Sequence, residues 1–152
     1  MKTFLIILTF LLAFSACSEK TAFSRFDMSK KQELGADSLQ RSKLKFQDKV
    51  NGIVSIIYLN TVAPELYSDD EYFYVNSYVK NRDDKPKMLL NNQEPLSIKE
   101  LSAVNEFTEL MNVSTEWSKY YLVAFPKQGD KLSFVFESGQ YVSDSLKFEK
   151  DE

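Results

Sequence analysis

Residues 117–125 read WSKYYLVAF, and the alternation within them decides the fold class. Trp117, Lys119, Tyr121, Val123 and Phe125 fall on one side of an extended chain, with Ser118, Tyr120, Leu122 and Ala124 on the other. Successive side chains of a strand point to opposite faces, so this period of two is the mark of β structure. Pro126 stops the run, because proline has no N–H to give to a ladder.

The flanking segments carry the same signal. After the turn Gln128-Gly129-Asp130, Leu132, Phe134 and Phe136 share one face; Ser138-Gly139 turns again, and Val142, Leu146 and Phe148 close on a last strand. Upstream, residues 71–79 (EYFYVNSYV) set Phe73, Val75, Ser77 and Val79 against Tyr72, Tyr74, Asn76 and Tyr78. Residues 50–59 (VNGIVSIIYL) are rich in Val and Ile, which favour strands, until Asn60 and Pro64 break the run. Met88-Leu89-Leu90, Asn91-Asn92 and residues 93–98 read as a hairpin, since asparagine tolerates positive φ. Residues 81–87, with Pro86, form a charged loop.

Helical signals are few. Leu101, Val104, Phe107 and Met111 recur at three and four within residues 99–113 (KELSAVNEFTELMNV), which predicts one short helix near 101–111 with Ser102 as N-cap. Residues 37–43 (DSLQRSK) suggest a helical turn capped by Asp37 or Ser38. About six or seven short strands at regular spacing and one helix predict a mainly β domain, an antiparallel β-sandwich. A partly open β-barrel is the alternative that the same pattern allows. Trp117 ahead of a tyrosine-rich strand resembles immunoglobulin-like domains in architecture only, because no cysteine pair flanks it.

The N-terminus carries a different message. Lys2 precedes an apolar run from residue 4 to 14, and Phe14-Ser15-Ala16 lead into Cys17, the single cysteine in 152 residues. A positive start, a short apolar stretch and small residues before a cut are the parts of a secretory signal. The apolar stretch is shorter than the roughly 20 residues that a spanning helix needs. The segment resembles the lipobox of bacterial lipoproteins, with Phe14 where leucine is commoner. That resemblance implies cleavage between Ala16 and Cys17 and acylation of Cys17. Ser18, in place of a retention aspartate, implies an outer-membrane destination. The domain plan is then a cleaved leader at 1–16, a lipidated tether at 17–36 and one globular β domain at 37–152.

Composition narrows the chemistry. Of the 152 residues, removing the first 16 leaves 136 and takes away one charge, Lys2, so 18 basic face 22 acidic side chains. A mildly acidic body argues against a nucleic-acid partner, since phosphates want a basic face. Histidine is absent. Ser-His-Asp and Cys-His nucleophile systems and H-E-x-x-H zinc sites are therefore excluded. No cofactor is expected. Ser77-Tyr78-Val79-Lys80 spells S-x-x-K, but a strand sends positions three apart to opposite faces. Asp69-Asp70-Glu71 and Asp83-Asp84 would sit about 30 Å apart along an extended strand, too far to share a calcium ion, so they read as solvated loop charge.

Tyr72, Tyr74 and Tyr78, with Trp117, remain as a candidate binding surface; Tyr120 and Tyr121 belong to the same aromatic group. The expected function is a membrane-anchored, non-enzymatic binding or assembly component, with an envelope protein or a glycan as partner. A carboxylate-dependent enzyme acting on cell-wall or surface glycans and a carbohydrate-binding module are the alternatives.

Overall fold

A computed structural model describes residues 29–80, 85–111 and 114–150. Among the described residues, nine antiparallel strands and three short helices follow in the order α1 (Lys30–Asp37), β1 (Leu39–Phe46), β2 (Lys49–Tyr58), α2 (Leu59–Val62), β3 (Glu71–Val79), β4 (Lys87–Leu90), β5 (Ser97–Leu101), α3 (Thr108–Met111), β6 (Lys119–Phe125), β7 (Lys131–Ser138), β8 (Tyr141–Val142) and β9 (Leu146–Glu149). The strands make one sheet in the order β4-β7-β8-β1-β2-β3-β6-β5, with β9 also on β7. It curls into a half-barrel, so the mainly β, antiparallel class read from the sequence is what the chain adopts. Its two walls face each other as sandwich layers do, while the pairing is continuous as in an open barrel.

Period-two alternation builds the interior. Val54, Ile56 and Tyr58 of β2, Phe73 and Val75 of β3, Tyr121, Val123 and Phe125 of β6, and Leu132, Phe134 and Phe136 of β7 all turn inward. Phe73 joins the walls, with ring centroids 5.1 Å from Phe134, 5.4 Å from Phe148 and 5.9 Å from Phe125. Each such buried ring contributes about 1.5–3 kcal/mol of transfer free energy. Gly52 lets β2 pass close to β3: a Cβ there would stand 2.2 Å from the Tyr78 carbonyl oxygen.

The alternate residues of the central strands form a second cluster on the outer face. Ile57, Tyr74 and Tyr120 pack there beneath Leu59, Phe107, Leu110 and Met111 of the helical layer. Helix α1 joins this layer. Ser29 and Gln32 cap it reciprocally, Ser29 Oγ accepting from Gln32 N and Gln32 Oε1 from Ser29 N. Gly35 lies against Leu110, where a Cβ would meet the Leu110 carbonyl oxygen at 2.5 Å.

Four local expectations change. Residues 30–37 are helical and packed, so the folded part starts ahead of residue 37. Ser38 ends that helix as C-cap and residues 39–46 form β1, in place of a helical turn over 37–43. The helix near 101–111 shrinks to Thr108–Met111, because residues 97–101 are strand β5 on the open edge of β6. Asn105 starts that helix: its Oδ1 accepts from Phe107 N at 2.9 Å and its N–H donates to Thr108 Oγ1 at 2.9 Å. The Asn91-Asn92 turn forms, with φ of 49° and 65°, but its return arm makes only the bridge Gln93↔Leu90 before joining β6.

Candidate functional site

The helical layer covers only one end of the outer sheet face. Beyond it, cross-strand register lines up Arg41 of β1 with Ser55 of β2, and Ser55 with Asn76 of β3. Asn76 in turn faces Tyr120 of β6. The next row along the strands is Lys43, Ile53 and Tyr78. Between these rows and the turn that carries Trp117 lies a groove of about 420 Å³, with Met111 at its helical end. That volume falls among small-ligand sites of about 300–1,000 Å³. Trp117 is 69 % exposed and Tyr78 45 % exposed.

The Trp117 turn is held from below. Tyr120 is buried, and its hydroxyl accepts from Thr115 N at 2.7 Å and donates to Thr115 O at 3.1 Å. The Thr115 and Ser118 hydroxyls pair at 2.9 Å, and Ser114 Oγ donates to Ala103 O. A tyrosine that sequence reading left in the aromatic group thus positions the tryptophan. The groove's polar row is different: among the described residues, the Arg41, Ser55 and Asn76 side chains have no hydrogen-bond or ion-pair partner.

The four aromatic candidates divide. Tyr78 and Trp117 line the same groove. Tyr74, on the same face of β3, is 1 % exposed beneath Phe107 and stacks on Tyr120 at 6.3 Å. Tyr72 is half-buried, 5.0 Å from the Tyr67 ring, at the far end of that strand. Tyr121 points into the interior, and burial together with Glu100 pushes its phenol up to about 12.

A second cluster lies at the other end of the half-barrel. Glu71 was expected among solvated loop charges; it is 0 % exposed at the start of β3. Its Oε2 accepts from the Tyr58 hydroxyl at 2.5 Å, and its Oε1 from Gln128 N at 2.8 Å and Lys150 Nζ at 2.5 Å. Burial alone would raise the carboxyl; the Gln128 N–H, the Lys150 ammonium and the Tyr58 hydroxyl outweigh it and hold the group below its usual range. Burial first, then the bond to Glu71 and its charge, push the Tyr58 phenol far upward. A pocket of about 330 Å³ opens beside the cluster, with Lys127 on its wall. Both carboxylate oxygens are engaged, so the arrangement ties the C-terminal strand and the turn after β6 to β3. No local signal marks Glu71 for burial, since its partner Lys150 lies 79 positions away.

Ala16 and Cys17 lie outside the described residues, as do Asp83 and Asp84. Among the described residues, no group of three or more His, Cys, Asp or Glu is placed to hold a metal ion, and no helix is long and apolar enough to cross a membrane. The fold and the groove together define an antiparallel half-barrel with an aromatic-flanked recess on its outer face. Compared with known proteins, the chain matches no family, no curated protein and no solved structure.

Proposed function

We propose that the chain is an outer-membrane lipoprotein anchored through Cys17, whose half-barrel acts as a non-enzymatic binding component. The groove between Tyr78 and Trp117 carries this reading. Its Arg41–Ser55–Asn76 row is carried on three paired strands, and the Trp117 turn is fixed by Tyr120. Binding to a preordered recess avoids the entropy cost of ordering loops. The best-placed carboxylate, Glu71, fits a structural role better than general acid–base chemistry, because both its oxygens already accept hydrogen bonds.

Anchoring rests on the leader. Each buried methylene of an acyl chain contributes about 0.8 kcal/mol, and stable retention takes two chains or more. Cys17→Ala should abolish acyl labelling and leave the precursor uncleaved ahead of residue 17; acyl labelling or normal processing of that variant would refute the anchor. For the groove, the lipidated protein and its Trp117→Ala variant would be recovered from native envelopes under mild detergent. Stoichiometric capture of one envelope component by the parent and its loss in the variant is the expected result. Equal capture by both would refute the groove's role.

A further inference from the structure

Resting on the reading of this groove as a binding site, we infer that its ligand is an acidic saccharide, a glycan whose sugar rings carry carboxylates. Three features of the recess converge on that chemistry. The first is shape and apolar character. Trp117 and Tyr78, whose side chains are flat aromatic rings, line the groove with Ile53 and Met111. The C–H face of a pyranose ring is apolar and flat, and it gains dispersion and desolvation energy on such a surface.

The second is hydrogen bonding. Arg41, Ser55 and Asn76 are consecutive cross-strand neighbours on three adjacent strands. Neighbouring strands are about 4.8 Å apart, a spacing comparable to the width of one sugar ring. Asn76 offers a donor and an acceptor side by side, which suits vicinal hydroxyls, and Ser55 offers both in one group. None of the three is committed to a partner among the described residues.

The third is charge. Among the described residues, Arg41 is the one charged residue lining the groove, with no carboxylate in its wall. Lys43 follows it on the same face of β1. The chain as a whole is acidic, with a formal net charge of −3, so a cationic recess stands out against its own background. A neutral sugar's hydroxyls accept only single, weaker hydrogen bonds from a guanidinium, whereas a ring carboxylate accepts two parallel, charge-assisted ones.

Trp117 is the single tryptophan, so its emission reports on this groove alone. The mature lipidated protein in neutral detergent micelles would be titrated with oligogalacturonate, hyaluronan and alginate fragments, and with their carboxyl-reduced counterparts. Saturable change in emission with at least one acidic oligomer is expected. Binding of its reduced form should be roughly tenfold weaker or more, and added salt should erode the difference. Arg41→Gln, an exposed substitution checked by its thermal midpoint, should lower the acidic oligomer to the affinity of the reduced one. Calorimetry on Tyr78→Ala should show loss of both.

Equal affinity for acidic and reduced oligomers, or an Arg41→Gln variant that still discriminates between them, overturns the inference. So does silence across the panel, or an emission shift only with phosphatidylglycerol vesicles or a proline-rich peptide. If the glycans fail while Trp117→Ala still loses the captured envelope component, the groove remains a binding site and only the saccharide falls. If capture is also unaffected, the reading beneath it falls as well.

Discussion

Lys150→Met removes the ammonium that faces Glu71 and keeps the length and apolar stem of the side chain. Glu71 would retain the Tyr58 hydroxyl and the Gln128 N–H but would sit buried without its counter-charge. Breaking a buried pair from one side costs about 3–5 kcal/mol. The Lys150 side chain is 21 % exposed, so water reaches the rim of the cluster, and a loss of about 3 kcal/mol at neutral pH is expected.

The pH dependence carries the sharper test. In the native protein the Glu71 carboxyl lies below its ordinary value of 4.5. Its stabilising contribution is therefore present above that value and lost as pH falls through the folded pKa. In the variant burial becomes the dominant influence, the folded pKa rises above the unfolded one, and the sign reverses. Protonation then favours the variant's folded state, so the gap between the two proteins narrows as pH falls from about 7 to about 4. Urea unfolding followed by circular dichroism at several pH values measures this directly. Adding Glu71→Gln to the Lys150→Met background should recover stability, with a coupling of more than about 1 kcal/mol in the double-mutant cycle. A cost under about 1 kcal/mol at neutral pH, or one that does not change with pH, would refute the account.

Three further outcomes follow from other parts of the fold. Tyr120→Phe removes both bonds to Thr115 and should cost about 1–2 kcal/mol while lowering the emission anisotropy of Trp117; unchanged anisotropy would show that the turn is held by something else. Gly52→Ala places a Cβ 2.2 Å from the Tyr78 carbonyl and 3.1 Å from Val79 Cα, forcing β2 and β3 apart. It should cost more than about 2 kcal/mol in denaturant unfolding, and a change within about 0.5 kcal/mol would count against the close approach. Of the eight tyrosines, Tyr58 and Tyr121 should stay protonated when native protein is brought to about pH 11, where an exposed phenol is ionised. Full tyrosinate absorbance at that pH, with the fold intact by circular dichroism, would contradict their burial.

The β class is legible along the chain, because period-two alternation is a local property. Residues 71–79, 119–125 and 131–136 announce their two faces without help from the rest of the chain. Turn chemistry was equally local: Asn91 and Asn92 take positive φ, and so does Gly139. The proposed leader before Cys17 rests on short-range signals in the same way, on Lys2, the apolar run and Ser15-Ala16. What alternation does not tell is which face meets which neighbour. Tyr72, Tyr74 and Tyr78 lie on the same side of one strand, yet the helical layer buries Tyr74, half-covers Tyr72 and stops short of Tyr78. The spacing of Leu101, Val104, Phe107 and Met111 fits a helix, but the unpaired edge of β6 takes residues 97–101 as a strand, and Val104 is left exposed. Both candidate sites arise from contacts between distant segments. Arg41, Ser55 and Asn76 become one row through register between three strands, and Glu71 finds its partners Tyr58 and Lys150 13 and 79 residues away. Range separates the two: strand formation is set by neighbours along the chain, whereas cross-strand rows and buried ion pairs exist only once distant segments are brought together.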